Sequence, residues 1–576
     1  MSFPSMKISP LFGLLLPVVG FVTLSLAGLG EEYRSLPRAN TKQLYGFMID
    51  AARTPESMEY YERLVDFCSK WGYNTIILRL TDDQGSALKF HSHPELLTHR
   101  NALSSTDITH LVQFAEAREI QLIPEVESFG HSRYITSVPQ YADLVDKDTI
   151  PEKGSPDFNG LIPSHPQTLG LMKDLFRETA ALFPSPFLHA GCDEVDWGGS
   201  EFSRRALKTH SRAQVWAKYI NSLDEIAKNL GKELIIWGDY PLRVDPEVLP
   251  LLNKDIILMD WNYSQKDPKA LAAIAHKILG NGLRLIGAPA LTHCGWGARV
   301  GSDQLRNVDA YEEAYKKLGD VRILGIVVTN WLPSRYIQDS IWDEIAYAGV
   351  SIRDGSAAAR ESAFRYFVER HYGAAWNDAW ADVFNIYYAV TPYCTSRCAP
   401  PWAWPKLQAP WHDAQGLISA AGDAAANPPP FQQILKELDR LKPSVSRNTE
   451  DFNAFRLSVE YMSQLFWRNS TILGEVDKKI INNQSATATI RTIAQRDHKL
   501  LQALSASWDS GRPSNSEVKS TMVFPAAEDQ LLFRLSEAAA YSTALAKDPD
   551  RFLAILELAK HTARPSASAQ YTVFRK

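Results

Sequence analysis

The chain of 576 residues has few cysteines, no excess of basic residues, no internal repeat and no extended low-complexity block. Lys and Arg together number 61 against 66 Asp and Glu, so the formal net charge is -5. Proteins that bind a phosphate backbone need a basic surface, and nucleic-acid binding is therefore not expected. With 45% hydrophobic and 22% charged residues, the composition is that of a soluble globular protein, and the length predicts two domains.

Cysteine is scarce, with five residues at positions 68, 192, 294, 394 and 398. Because the number is odd, at least one thiol is free. Cys394 and Cys398 are near enough in sequence to close a small disulfide loop, and the sequence leaves this open. The pair lacks the two further nearby ligands that a zinc site requires.

Only one long apolar run is present, from Leu11 to Leu26, and a lysine precedes it. The small residues Ser25 and Ala27 fit a signal-peptidase site. We therefore predict an export signal over residues 1–28 and delivery to the periplasm or the exterior. A retained membrane anchor is the alternative, because the run is close to spanning length. With the signal removed, we expect no stable membrane insertion.

Apolar strand-like runs alternate with amphipathic helical stretches from residue 44 to about residue 350. The runs are Leu44–Ile49, Thr75–Leu80, Gln121–Val126, Phe187–Ala190, Leu234–Trp237, Ile256–Met259, Leu283–Gly287 and Ile323–Val328. The helical stretches include Ser57–Trp71, Ile108–Arg118, Thr168–Leu182 and Ala213–Leu230. This rhythm predicts an α/β fold, a (β/α)8 TIM barrel over residues 41–352. A doubly wound open sheet is the competing fold, but no Gly-rich phosphate loop follows the first run.

The pattern becomes purely helical beyond residue 355. The predicted helices are Ala357–Tyr372, Phe431–Leu441, Asp451–Ile481, Ala486–Leu504 and Asp529–Leu545. We predict an all-helical C-terminal domain over residues 355–576, docked against the barrel and without a chemical motif of its own.

The most informative short segment is His189–Glu194, which ends in two adjacent carboxylates, Asp193 and Glu194. The apolar residues before it predict a short buried strand, and the glycines after it predict a turn. Adjacent carboxylates repel, so one of them tends to have a raised pKa. A protonated carboxyl beside an ionised one is suited to acid-catalysed cleavage of an acetal. A solvated loop that merely carries two acids is the alternative interpretation.

Polar and aromatic residues stand at or just after the end of every predicted strand. They are Asp50, Arg53, Asp82, Asp83, Glu125, Glu127, His131, Asp193, Glu194, Trp237, Asp239, Asp260, Trp261, Tyr263, His293, Trp296, Asn330 and Trp331. Barrel enzymes build their sites from the C-terminal ends of the strands, where these residues converge. We therefore predict the functional site at this face.

With these segments in place, the chain resembles the β-N-acetylhexosaminidases of glycoside hydrolase family 20, and most of all their shorter, hexosaminidase D-like members. The matching segments occur in family order: Asp50–Arg53, Asn74–Gly85, Ile123–Ser132 and His189–Glu194. The last of them is similar to the family signature His-x-Gly-Gly-Asp-Glu.

The resemblance implies a retaining, exo-acting β-N-acetylhexosaminidase whose partner is a glycan with a terminal N-acetylhexosamine, and the N-terminal segment predicts that this enzyme is exported. Glu194 would protonate the glycosidic oxygen and later activate water. Asp193 would hold the substrate's 2-acetamido group, whose oxygen attacks the anomeric carbon and forms an oxazolinium ion. This substrate-assisted route is an exception to the scheme of two opposed carboxylates.

The resemblance also implies substrate-binding residues. Arg53 would hydrogen-bond the hydroxyls of the terminal sugar through its planar fork. Trp237, Trp261 and Trp331 would form the walls of the pocket, and Tyr263 would donate to the acetamide carbonyl.

His131 and His189 are implied to lie near the acid pair, where they support loops and tune Glu194. A metal site is the alternative use of these histidines. Because the family needs no metal and the sequence shows no tight ligand cluster, we expect neither a metal nor a cofactor. The sequence does not indicate the oligomeric state.

Three residues depart from the family pattern. Cys192 replaces the second glycine of the signature, Pro333 stands where a glutamate often binds distal hydroxyls, and Arg79 occupies a position often held by histidine. These departures leave open the choice between N-acetylglucosamine and N-acetylgalactosamine.

Two other functions compete with the glycosidase. One is a non-catalytic glycan-binding protein on the same barrel, against which the presence of both acids argues. The other is a metal-dependent hydrolase that uses His131, His189 and nearby carboxylates.

Overall fold

The computed structural model describes residues 43–146, 160–292, 302–395, 430–511 and 531–562. The predicted signal segment, the loop residues His293 and Trp296, and Cys398 lie outside these ranges. The predictions made for them, including a Cys394–Cys398 disulfide, stay predictions.

Eight parallel strands form a closed barrel in sequential order. They are β1 (Leu44–Ile49), β2 (Thr75–Arg79), β3 (Gln121–Glu125), β4 (Phe187–His189), β5 (Glu233–Trp237), β6 (Ile257–Trp261), β7 (Arg284–Ala288) and β8 (Ile323–Asn330). The barrel closes where β1 pairs with β8, in a register that runs from Leu44 opposite Gly325 to Ile49 opposite Asn330. Closure excludes the open sheet and confirms the predicted TIM barrel.

Helices surround the barrel after most of the strands. They are α1 (Met58–Lys70), α2 (Ser105–Glu116), α3 (Pro166–Leu182), α4 (Arg212–Asn229), α5 (Pro268–Gly280), α6 (Ser302–Leu318) and α7 (Trp342–Asp354). Serine caps start several of them; Ser104 and Ser211 each form a reciprocal capping box. After β5 the chain forms instead a π turn at Tyr240–Val244 and a 3-10 helix at Pro246–Leu251.

The barrel interior is filled by side chains and is not a channel. Met48, Ile77, Ile123, Ile235 and Ile257 are each fully buried in one apolar cluster with inward-facing residues of the other strands. Such layers of branched residues close the bottom of a barrel of this kind. The chemistry must therefore lie above them, at the carboxyl ends of the strands.

Further short strands lie in the loops that follow the carboxyl ends of the barrel strands. One small sheet joins Thr81–Asp82, Gly85–Leu88 and Thr98–Leu103; a second joins Val145–Asp146 and Gly160–Leu161; and Ala290–Thr292 pairs with β8. Short helices lie at Arg133–Thr136, Pro139–Leu144 and Glu201–Ala206.

The described residues after the barrel are mostly helical, as predicted. They form α8 (Ser356–Phe367), α9 (Asp378–Thr395), α10 (Phe431–Leu441), α11 (Thr449–Val476), α12 (Asn483–Gly511), α13 (Leu531–Lys547) and α14 (Pro549–His561). Arg63 of α1 forms an ion pair with Asp451 of α11, so this region packs on the barrel. All described residues belong to one compact unit. The placement of a domain boundary near residue 355 stays a prediction.

Within the described ranges, no helix has the length and apolar character needed to cross a membrane.

Candidate active site

The turn after β4 carries the acid pair in an unusual backbone conformation. Gly191, Cys192 and Glu194 all have positive φ angles, of 64°, 77° and 45°. A Cβ at Gly191 would overlap the carboxylate of Glu127, so glycine is required there. Non-glycine residues in the left-handed region cost free energy, and such strain is concentrated at functional sites.

Two buried carboxylates hold this strained turn by accepting its backbone N–H groups. Glu127 accepts from Cys192 N at 3.0 Å, and Asp239 accepts from Glu194 N at 3.0 Å. Burial and the nearby charge of Asp193 raise the pKa of Asp239 to about 7. The Cys192 side chain is buried in the apolar core, so the departure from the signature adds no group to the cavity.

His131 lies beneath both members of the acid pair. Its Nε2 is 3.3 Å from Glu194 Oε2 and 3.8 Å from Asp193 Oδ2, and its Nδ1 is 2.9 Å from Asp83 Oδ2. Burial lowers the pKa of His131, but Asp193, Asp83 and Glu194 outweigh burial and hold it well above its ordinary value. The ring is therefore a cation near neutral pH.

This cation changes the expected titration of Glu194. Burial raises the pKa of Glu194, but the hydrogen bond and charge of His131 bring it below its ordinary value. The raised pKa that two adjacent acids led us to expect is thus not found at Glu194. An imidazolium in contact with both carboxylates replaces their mutual repulsion by attraction.

A buried ionic network supports the site from below. Arg79 is fully buried; it donates to Asp82 and, at 2.7 Å, to Glu127 Oε1, and it lies 3.6 Å from carboxylate oxygens of Asp50 and Glu125. Burial raises the pKa of Glu125 to about 8, although Arg79 opposes the shift. Arg79 is therefore a buried cation in contact with four acidic side chains, and its charge opposes the protonation of Glu125 and Glu127, whose pKa values burial raises.

Arg53 reaches into the site from the loop after β1. Its guanidinium is 3.4 Å from Asp50 Oδ2 and 3.1 Å from Asp82 Oδ2, and it lies over the Trp331 ring. Two carboxylates and an aromatic face therefore fix the position of its planar guanidinium. The side chain remains 16% exposed.

A cavity of about 390 Å³ opens at this face of the barrel. It is lined by Arg53, Asp193, Glu194, Arg243, Trp261, Asn262, Tyr263, Ser264 and Trp331. Trp261 stacks on Tyr263 with ring centroids 5.1 Å apart, and Trp331 Nε1 donates to the Tyr263 hydroxyl at 2.8 Å. Six of the nine predicted site residues thus come together around one cavity: Arg53, Asp193, Glu194, Trp261, Tyr263 and Trp331.

The other three predicted residues lie behind the lining. Besides His131, these are Trp237 and His189, which are fully buried with ring centroids 4.7 Å apart. Trp237 donates to Glu125 Oε1 at 2.8 Å, and His189 accepts from Gly191 N at 3.0 Å. We expected Trp237 to wall the pocket; instead it packs behind Trp331, because its indole N–H turns inward to a buried carboxylate.

Several residues of the site escaped the sequence analysis. Arg243, Asn262 and Ser264 line the cavity and were not predicted. Asp239 was predicted only as a strand-end residue, and the structure gives it the role of positioning Glu194. Arg243 lies on the π turn after β5, and no sequence pattern predicted that a turn replaces a helix there. Pro333 begins a short 3-10 turn after β8 and is not among the lining residues.

The described residues include two groups of possible metal ligands, Asp82 with Asp83 and His131, and His131 with Asp193 and Glu194. His189, which a metal site on both histidines would require, is in neither group. Asp82 already contacts Arg53 and Arg79, and His131 is itself cationic, so the donor set is poorly suited to a divalent ion.

Residues 44–331 match the family model for glycosyl hydrolase family 20, catalytic domain. The chain is 27% identical over 247 residues to a β-hexosaminidase of Vibrio furnissii, an alignment that covers 38% of this chain and 39% of that protein. It is 23% identical over 322 residues to hexosaminidase D of Bos taurus, covering 52% of this chain and 87% of the bovine protein.

Among solved structures, an exo-β-N-acetylglucosaminidase from Vibrio harveyi matches with 22% identity and a TM-score of 0.44, over 56% of this chain and 55% of that one. The chain spans less than half the length of the Vibrio furnissii relative.

Proposed function

Because this chain belongs to glycosyl hydrolase family 20, we propose that it is an exo-acting β-N-acetylhexosaminidase that removes terminal N-acetylhexosamine from glycans with retention of configuration. The observation that carries the proposal is the joint presentation of Asp193 and Glu194 in a cavity whose walls are Trp261, Tyr263 and Trp331.

The identity of the carboxylates that reach the cavity supports the proposal of substrate assistance. Among the described residues that line it, Asp193 and Glu194 are the only acids, and they are adjacent on one turn. A retaining glycosidase with two opposed carboxylates needs one on each side of the anomeric carbon. We therefore assign the nucleophile to the substrate's own acetamide oxygen, which displaces the leaving group and forms an oxazolinium ion.

Asp193 is placed to stabilise that ion. Its side chain is 9% exposed, and no described residue hydrogen-bonds its buried Oδ1 atom. A buried acceptor without a partner is costly, and an acetamide N–H would satisfy it. The negative charge then offsets the positive charge that develops on the acetamide as its oxygen bonds to the anomeric carbon.

Glu194 is the general acid, and His131 supplies its proton. In the free site the proton resides on His131, 3.3 Å from Glu194 Oε2. A bound sugar excludes water, which disfavours the separated charges and moves the proton onto the carboxyl. Glu194 then protonates the glycosidic oxygen. In the second step the ionised carboxylate takes a proton from water, which opens the oxazolinium ring.

The aromatic walls bind the sugar and the acetamide. The faces of Trp261 and Trp331 suit the apolar face of a pyranose and the acetamide methyl. Arg53 binds hydroxyls at the far end of the ring, and we assign to Tyr263 the hydrogen bond to the acetamide carbonyl.

Export is a further part of this proposal, supported by the sequence of residues 1–28 alone. The N-terminal residue of protein recovered outside the cytoplasm tests it by mass spectrometry. A start near residue 28 is expected, and an intact N-terminus in membrane fractions would favour the anchor.

The activity is tested with 4-nitrophenyl glycosides of β-N-acetylglucosamine, β-N-acetylgalactosamine and β-glucose. We expect release of nitrophenol from one or both acetamido sugars and not from the glucoside. The ratio of the two acetamido rates would decide the sugar preference that Pro333 and Arg79 leave open. No release from any of them, with measurable binding of N-acetylglucosamine, would favour the non-catalytic glycan-binding protein.

A further inference from the structure

We infer that Arg243 binds an oxyanion at the mouth of the cavity and favours substrates whose aglycone, the group released, carries a carboxylate or a sulfate. The inference rests on the proposed function and adds a preference on the leaving-group side of the same site. Arg243 is a cation that lines the cavity but has no role in the chemistry described above.

Two contacts fix the Arg243 guanidinium in place. Its Cζ lies 3.9 Å from the centroid of the Trp261 ring, and one terminal nitrogen donates to the Trp261 carbonyl oxygen. Stacking on tryptophan uses the flat face of the guanidinium and leaves its edge available. The edge is the part that binds carboxylate and sulfate oxygens through parallel hydrogen bonds.

Arg243 differs from Arg53, the other cation in the lining. Arg53 contacts Asp50 and Asp82 and is mostly buried, so its charge is compensated. Arg243 is exposed, and among the described residues its charge acts on Asp239 and Asp260 without an ion pair to either. It is thus an ordered positive charge at the opening of a site that is otherwise rich in acids.

The position on the aglycone side follows from the gradient of exposure in the cavity. Side-chain exposure rises from 9% at Asp193 and 16% at Arg53 to 42% at Glu194. The terminal sugar therefore occupies the deep part, Glu194 marks the glycosidic oxygen, and the aglycone extends to the mouth. Arg243, exposed and beyond Trp261, faces that outer part.

An anion is also excluded from the deep part, because Asp193 and Glu194 would repel it there. At the mouth the guanidinium is partly hydrated, so the expected gain is moderate. Exposed charge pairs correspond to at most roughly fivefold in affinity, and added salt weakens them.

The experiment compares aryl β-N-acetylglucosaminides that differ in aglycone charge. The probes are the glycosides of 4-hydroxybenzoate, of its neutral methyl ester and of 4-hydroxyphenyl sulfate. The measured quantity is the ratio of kcat/KM for each anionic probe to that for the ester. The anionic-to-neutral ratio of the parent is then divided by the same ratio of each variant. This removes the differences in leaving-group reactivity between the probes, because they are the same for every enzyme.

Arg212 offers a matched control. It lies over the Trp197 ring at 4.5 Å and donates to the Trp197 carbonyl oxygen at 2.8 Å, but it does not line the cavity. We expect Arg243→Gln to lower the anionic-to-neutral ratio about fivefold, Arg243→Lys to lower it less, and Arg212→Gln to leave it unchanged. High salt should reduce the parent's ratio towards that of Arg243→Gln.

The outcomes separate the inference from the proposed function. An equal loss of kcat/KM on charged and neutral probes in Arg243→Gln would overturn the inference and make Arg243 a support for Trp261. The inference would also be overturned if the anionic-to-neutral ratio changed neither with added salt nor in Arg243→Gln. A drop confined to the carboxylate or to the sulfate probe identifies which oxyanion the site takes. Failure of the parent to cleave any probe, the neutral ester included, would overturn the proposed function, and the inference with it.

Discussion

His131 and Glu194 form an ion pair in which Nε2 of the imidazole is 3.3 Å from Oε2 of the carboxylate. The Nδ1 atom of the same ring is held by Asp83 at 2.9 Å, so the ring cannot rotate away. A cation fixed against the acid explains how Glu194 has a lowered pKa and still has a proton source beside it.

Replacing His131 by alanine should lower kcat by about 10²-fold and change the pH profile. With His131 present, the pair loses its proton only as pH rises through the raised pKa of the histidine. Without it, Glu194 loses its proton at its own, lower pKa. The basic limb of kcat against pH should therefore move to lower pH.

The matched control for that profile is His93→Gln, since His93 also contacts a carboxylate, Glu95 at 3.1 Å, but lies outside the cavity. Its profile should coincide with that of the parent. A basic limb in His131→Ala that stays at the parent's position would contradict the transfer of a proton from His131 to Glu194.

Glu194→Gln should lose about 10²–10⁴-fold in kcat, the usual value of a positioned general acid. The fold should persist, because the Glu194 side chain is partly exposed and its backbone N–H still donates to Asp239. Steady-state kinetics and circular dichroism are the measurements, with the exposed Glu201→Gln as the control. Retention of more than about a tenth of the parent's kcat would remove Glu194 from the role of acid.

Asp193→Asn should lower kcat severely and not merely raise KM. The oxazolinium forms only after the substrate binds, so its counter-charge matters most in the transition state. Measuring kcat and KM separately distinguishes the two effects. A raised KM with kcat unchanged would limit Asp193 to ground-state binding.

Arg79→Met should destabilise the fold by about 3–5 kcal/mol, because removing one partner of a buried ion pair leaves uncompensated charge. Burial, Asp193 and Glu125 hold the pKa of Glu127 well above its ordinary value even with Arg79 present. Arg79 lowers the pKa of Glu125 and Glu127, so its removal raises both further, and the added cost grows as pH rises towards the values at which these groups ionise in the parent. The deficit should therefore be smaller at pH 5 than at pH 8.

Urea unfolding at both pH values measures this deficit. Arg118→Met is the control, since Arg118 pairs with Asp66 at a partly exposed position and its loss should cost less than about 1 kcal/mol. A deficit in Arg79→Met as small as that of the control would contradict the electrostatic role of the buried network.

The barrel was predictable from sequence because its strands are short apolar runs ended by polar residues. β1 runs from Leu44 to Ile49 as predicted, with Asp50 directly after it. The site was predictable to the same extent, since the end of each strand fixes where a residue's Cα lies. Asp193, Glu194 and Trp331 therefore came together as expected.

Side-chain direction was not predictable in the same way. Trp237 follows the strand-end rule as well as Trp331 does, but a hydrogen bond to Glu125, 112 residues away, turns it inward. Arg243 enters the cavity only because the chain after β5 forms a π turn. The pKa of Glu194 likewise depends on His131, which comes from a different loop. Each of these features depends on contacts distant in sequence.

Attack by the substrate's acetamide oxygen can be tested by weakening that nucleophile. The measurement is kcat/KM for 4-nitrophenyl β-N-acetylglucosaminides whose acetamide methyl carries zero, one, two or three fluorine atoms. If the acetamide oxygen attacks the anomeric carbon, each fluorine withdraws electron density and kcat/KM should fall steeply along the series. If kcat/KM stayed constant along the series, the acetamide oxygen would not be the nucleophile, and the attack would be assigned to an enzyme carboxylate or to water.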